Sequence, residues 1–223
     1  MTSEPFHDAD HYPSAGARAA DKWVHIVGLV LAVAGGGALF GLSIGFGTVG
    51  QVFAVAVYAI CLALMLSFSV AYNMAKPENR PFLRRLDHAG IFLMIAGSYT
   101  PFTTQRFEGW WSIGFTLVVW LIAFAGVGAK LILPRLSDAF WSGVYVVFGW
   151  IAVIALKPLI DTVHPIALGL LVLGGLIYTA GVLFFISPKL KYRRAIWHGF
   201  VVAGAGVHWA AVLVGVVLAP NLA

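Results

Sequence analysis

Charged side chains are scarce in this sequence: Asp, Glu, Lys and Arg make up 10% of the 223 residues, against 61% hydrophobic residues. That balance excludes a soluble globular domain. The one cysteine, Cys61, lies in an apolar stretch, which excludes an intrachain disulfide and a thiolate-cluster metal site and leaves a packed thiol. No lysine occurs between Ala195 and Ala223, so the last apolar segment cannot carry a retinal Schiff base. Acids occur only at segment ends and in connections, whereas proton carriers place them in mid-membrane.

Apolar runs are abundant. About 20 helical residues cross a hydrocarbon layer of about 30 Å, and seven such runs lie near 23–44, 50–74, 88–104, 110–132, 139–156, 164–187 and 195–219. They predict an all-α integral membrane protein, a seven-transmembrane helix bundle, with short connections and no soluble domain. Residues 1–22 read as a flexible polar tail and 23–223 as the bundle. The tail contains Asp and Glu, and the run after it is long enough to span, so it is not read as a signal peptide.

The formal charge of +5 suggests no nucleic-acid partner, because its distribution follows the membrane. Twelve of the fourteen Lys and Arg residues fall in the tail and in the second, fourth and sixth connections, leaving Arg106 and Lys157 on the other side. The positive-inside rule then places the N-terminus in the cytoplasm and the C-terminus outside.

This topology brings His25, Ser69, Asn73, Asp87, His88, Arg194 and His198 into the cytoplasmic half as a polar cluster. Asp21 and His25, Ser69 and Asn73, and Arg194 and His198 are each four residues apart, so each pair shares one helical face. Each residue also has a plain reading: helix-end Arg and Asn snorkel to the headgroups, and Asp87 caps the third helix. His208 lies roughly 15 Å deeper than His198 by helical rise, too far to ligate the same ion, and faces the bundle interior. In "SYTPF", Ser98–Phe102, Pro101 reads as the terminator of the third helix.

Four stretches resemble the hemolysin III family, the bacterial relatives of adiponectin receptors and of progestin and adipoQ receptors. "LDHAGIFLMIAGSYTPF", Leu86–Phe102, is similar to that family's third-helix signature. "SVAYN", Ser69–Asn73, resembles its Ser-x-x-Tyr-His motif, "GGLIYTAGVLFF" its sixth helix and "RAIWHGFVVAGAGVHW" its seventh.

The resemblance implies zinc at the cytoplasmic ends of the second, third and seventh helices. It also implies three histidine ligands, with an aspartate and a serine acting around the bound water. Position by position, Ser69 and Asp87 match the catalytic pair and His198 one metal ligand, while Asn73 and Arg194 stand where the other two histidines are expected. Zinc prefers His, Cys and carboxylate donors, and a guanidinium has only donors and a fixed positive charge. The sequence therefore predicts a degenerate zinc site in which Arg194 replaces the cation and pairs with Asp87; a rearranged zinc site using His198, Asp87 and His25 or His88 stays open. The resemblance implies a bacterial inner-membrane protein whose partners are membrane lipids. Two functions follow: a contribution to membrane lipid or fluidity homeostasis, and zinc-dependent hydrolysis of a lipid amide or ester.

Overall fold

The computed structural model describes residues 11–133, 136–187 and 189–219, and among them every regular element is helical. Eight α-helices follow in chain order: α1 (Ala15–Phe46), α2 (Val49–Met74), α3 (Arg80–Gln105), α4 (Gly109–Ile132), α5 (Asp138–Gly149), α6 (Leu156–Thr162), α7 (Pro165–Phe185) and α8 (Arg193–Val212). Hydroxyls start three of them. Ser14, Thr48 and Ser137 each accept a hydrogen bond of 3.2 Å from a backbone N–H of the first turn, satisfying a group that the helix leaves without a partner.

Neighbouring helices pack in sequence from α1 to α4, α7 packs on α8, and α8 closes back on α1. The interior holds Leu39, Val55, Tyr58, Phe92, Val119 and Val212. The outside is equally apolar, with Trp23, Val30, Phe53, Ile113, Leu121 and Leu176 exposed. Helices that are hydrophobic all round belong in lipid. Six segments are long and apolar enough to cross a membrane, with α5 and α6 counted together as 138–162. α3 is not one of them: its first turns carry Arg80, Arg84, Arg85, Asp87 and His88, and its last turns Thr100, Pro101, Thr103, Thr104 and Gln105.

Three expectations need correction. The tail does not extend to residue 22: α1 begins at Ala15 behind its Ser14 cap, and Tyr12 is buried. An alanine-rich start favours helix, and Asp21 turns inward on that added turn. Second, Pro101 does not end α3, which runs on to Gln105. The Thr100 hydroxyl donates to the Ala96 carbonyl (2.9 Å) and that of Thr104 to the Thr100 carbonyl (2.7 Å), and the helix carries Pro101 in its interior, as membrane helices tolerate.

Third, the fifth run is not one continuous helix. It breaks after α5 into a 3₁₀ turn, Ile151–Ala155, before α6. The Tyr99 hydroxyl of α3 sits at the break, donating to the Gly149 carbonyl (2.7 Å) and accepting from the Ala152 N–H (3.0 Å). A side chain inserted into the backbone ladder is a recognised cause of helix breaks. Arg135, counted among the basic connection residues, lies outside the described residues.

Cys61 is buried and free, and it packs where α3 comes closest to α2. A Cβ on Gly97 would lie 2.6 Å from that of Cys61, so this crossing requires glycine. His208 faces inward as expected. Its Nε2 donates to the Leu171 carbonyl at 3.3 Å, and its ring fills the space beside Gly174, where a Cβ would lie 2.2 Å from it.

Replacing Tyr99 with Phe strips both backbone groups of their partner. The expected result is a loss of about 1–2 kcal/mol in unfolding free energy in detergent. An unfolding curve superimposable on wild type would show that the hydroxyl does not support the break.

Candidate metal and polar site

Asp21, on the second turn of α1, is fully buried. A carboxylate in that position needs partners for both oxygens, and it has them. His198 Nδ1 of α8 lies 2.6 Å from Oδ1, and the Tyr12 hydroxyl donates to Oδ2 at 2.5 Å. One turn along α1, His25 Nδ1 donates to the Asp21 backbone carbonyl at 2.8 Å.

Those contacts fix the ring protons. A carboxylate and a carbonyl only accept, so both imidazoles carry hydrogen on Nδ1, and in the neutral rings both Nε2 atoms are acceptors. Both Nε2 atoms point at Ser69 of α2, whose Oγ is 3.1 Å from His25 and 3.4 Å from His198. The rings are 4.2 Å apart between centroids. With both rings neutral, one hydroxyl proton cannot serve two acceptors and one imidazole lone pair is left over; a proton or a cation at that point completes the network.

Asn73 builds the next layer outward. Its Nδ2 donates to the Ser69 carbonyl at 3.0 Å, while its Oδ1 accepts from His11 Nε2 (3.2 Å) and from Arg194 Nη1 (3.4 Å). Arg194 Nε donates to the His11 carbonyl (3.2 Å), and the guanidinium lies 5.9 Å from the rings of both Tyr12 and Tyr72.

The structure thus joins His25, Ser69, Asn73, Arg194 and His198. Asp87 is partly buried and faces Ser69, with His198, Arg194 and Asp21 among its charged neighbours. The expected Arg194–Asp87 pair does not form. Among the described residues the Lys and Arg ion pairs are Arg84 with Asp138 and Lys157 with Asp161, while His25 and His198 lie within 4.0 Å of the Asp21 carboxylate. Arg194 instead turns to the carbonyl and aromatic groups of the chain preceding α1. His88 does not join the cluster. It follows Asp87 directly, and a one-residue step on a helix turns the side chain by about 100°, here toward Tyr145 of α5.

Sequence reasoning placed Asp21 and His25 on one face but left Asp21 in the tail, outside the cluster. His11 and Tyr12 were missed: nothing in a polar stretch marks a tyrosine that folds back onto a carboxylate nine residues later.

The profile of the family described as Haemolysin-III related matches residues 19–209. The chain belongs to that family. It is 30% identical over 206 residues to the hemolysin-3 homolog of Bacillus subtilis (strain 168), covering 91% of this chain and 96% of the relative. It is 34% identical over 170 residues to hemolysin-3 of Bacillus cereus, covering 75% and 77%. The human monocyte to macrophage differentiation factor is a more distant relative, 26% identical over 208 residues, with 90% and 84% covered. With its six apolar spans, this family member is a multi-pass integral membrane protein, and its bacterial relatives assign it to the bacterial plasma membrane.

The donor set that the resemblance implied does not fit zinc. Asn73 spends its amide on Ser69 and its carbonyl oxygen on His11 and Arg194, and a guanidinium occupies the third position. A shifted set does fit by donor chemistry. One ligand atom each from Asp21, His25 and His198 lies within 4.8 Å of the others, and all three residues are buried. Two nitrogens and one carboxylate oxygen are a familiar zinc triad.

Asp21→Ala leaves the His198 Nδ1–H and the Tyr12 hydroxyl without an acceptor, whereas Asp87→Ala breaks no ion pair. Removing one side of a buried charged pair costs about 3–5 kcal/mol, so Asp21→Ala is expected to lower the melting temperature in detergent far more than Asp87→Ala. The reverse order would contradict the network.

Proposed function

We propose that this Haemolysin-III-related protein contributes to membrane lipid or fluidity homeostasis through a zinc site shifted onto Asp21, His25 and His198. The observation that carries the reading is that His25 and His198 turn both Nε2 atoms on the one Ser69 hydroxyl, while Asp21, His25 and His198 each have a ligand atom within 4.8 Å of the others. A cation placed there takes up what the hydrogen-bond network leaves over. Arg194 and Asn73 then lie outside the metal's own ligands and close the site toward the chain end. Bound zinc would supply Lewis acidity and an activated water. Ser69 and Asp87 are the groups placed to orient and exchange protons beside it.

The topology belongs to the same reading. α3 is taken as the seventh crossing, tolerating its charges because they sit at one end, with the N-terminus cytoplasmic by the positive-inside rule. A mostly apolar cavity of about 460 Å³ runs between α3, α5, α7 and α8. Its wall includes Met65, one turn from Ser69, and Trp197, next to His198. Its size suits a ligand pocket and its lining suits a lipid chain, which supports hydrolysis of a lipid amide or ester as the more specific activity.

A second reading rests on the two oxygens of Asp21, each of which already accepts a hydrogen bond. In it the cluster holds no metal and serves as a polar lock between α1, α2 and α8.

Metal content separates the two. Protein purified without chelator or an imidazole-eluted tag is expected to carry about one zinc per chain, reduced to background in an Asp21→Ala, His198→Ala double variant. Metal-free wild-type protein would sink the zinc site and leave the polar lock. The homeostasis role has its own check: a strain lacking the gene should show altered membrane fluidity or fatty-acid composition under cold stress, and identical membranes would refute it.

A further inference from the structure

A second polar cluster lies on the other side of α3, where it meets α4 and α5. Among the described residues, three buried side-chain atoms there have no hydrogen-bond partner: Lys130 Nζ, His88 Nδ1 and Trp141 Nε1. Their residues are 1%, 8% and 3% exposed. A single orphaned polar atom is unusual in a folded protein; three in one wedge, one of them an ammonium, indicate a missing common partner. Lys130 Nζ lies 4.7 Å from the centroid of the Trp141 ring. The His88 ring stands edge-on to Tyr145 of α5, and Tyr145 and Trp141 both pack edge-on against Phe92.

The chemistry of the missing partner follows from the atoms that want it. An ammonium and an indole N–H only donate, and a neutral imidazole donates from either nitrogen according to its tautomer. Of the two nearby acids, Asp138 is paired with Arg84 through Oδ1 and Asp87 faces Ser69, and neither is a hydrogen-bond partner of Lys130 Nζ. The Tyr145 hydroxyl is directed to the His88 carbonyl at 3.1 Å. Lys130 Nζ therefore lacks a hydrogen-bond acceptor among the described residues, and a partner bringing negative charge and several acceptor oxygens would supply one. Arg85, whose Nη1 donates to the Leu131 carbonyl at 3.4 Å, adds a further cation at this edge. Exposed Phe140 packs its ring edge-on against Trp141 at 5.5 Å, so an apolar tail attached to the oxyanion would find a lipid-like contact.

We propose that the wedge between α3, α4 and α5 binds a phosphate-class oxyanion, presented as the headgroup of an anionic phospholipid, with Lys130 as the buried cation and Trp141 and His88 as donors. Basic recesses between membrane helices are general sites for such headgroups. The site shares no residue with the Asp21 network, so it stands whether or not that network holds zinc.

The test is a titration of the full chain in neutral detergent with short-chain phosphatidylglycerol, short-chain phosphatidylcholine or inorganic phosphate, read as the melting temperature. Phosphatidylglycerol is expected to raise it saturably and phosphatidylcholine to leave it unchanged. Lys130→Met keeps the stem and removes the charge, and should weaken the apparent affinity at least tenfold. Trp141→Phe keeps a ring against Phe92 and removes one donor; it should weaken affinity several-fold and keeps the test usable if Lys130→Met does not fold. Lys189→Gln removes a surface cation elsewhere and should bind like wild type. Wild-type affinity in Trp141→Phe and Lys130→Met, or no response to phosphatidylglycerol or to phosphate, would overturn the proposal. An equal shift with inorganic phosphate alone, lost in the same variants, would overturn the lipid source and assign the site to free phosphate.

Discussion

The contact between His198 Nδ1 and Asp21 Oδ1 is the constraint on which the rest of this bundle depends. Lipid offers no water to a carboxylate, so Asp21 can be buried on α1 only if another helix supplies a donor. α8 supplies it, and the contact closes the bundle between its first and last helices. The proton on His198 Nδ1 directs Nε2 toward Ser69, and the same logic on α1 directs His25 to the same hydroxyl. Three helices are thereby fixed in depth and rotation by one acid and two rings.

Much of the fold was legible in apolar run length alone, because lipid leaves the backbone few options. What escaped that reading arose from single side chains acting at a distance. The break in the fifth run is made by the Tyr99 hydroxyl reaching over from α3, and no local signal in 139–156 announces it. α3 also continues past Pro101 to Gln105, where proline in a soluble helix would read as a stop.

The candidate site was legible as a depth and a set of helices, but not as a partner list. Four-residue spacing put Asp21 with His25 and Arg194 with His198, correctly as faces. Charge complementarity then favoured Arg194 with Asp87, because a buried cation calls for an acid. The chain satisfies the cation with Asn73, a backbone carbonyl and two tyrosine rings instead, all contributed by residues near the end of the bundle. Asp21 was thereby left for His198, so the exchange of partners follows from Tyr12 and His11 folding back over the end of α1.

The coupling between Asp21 and His198 is measured directly by a double-mutant cycle. Unfolding free energies would be compared for wild type, Asp21→Asn, His198→Ala and the double variant in one detergent without added metal. Residues sharing a buried network couple by about 0.5–3 kcal/mol, and a value in the upper half of that range is predicted. Strictly additive losses would show that the two residues do not depend on one another and would contradict the structure described above.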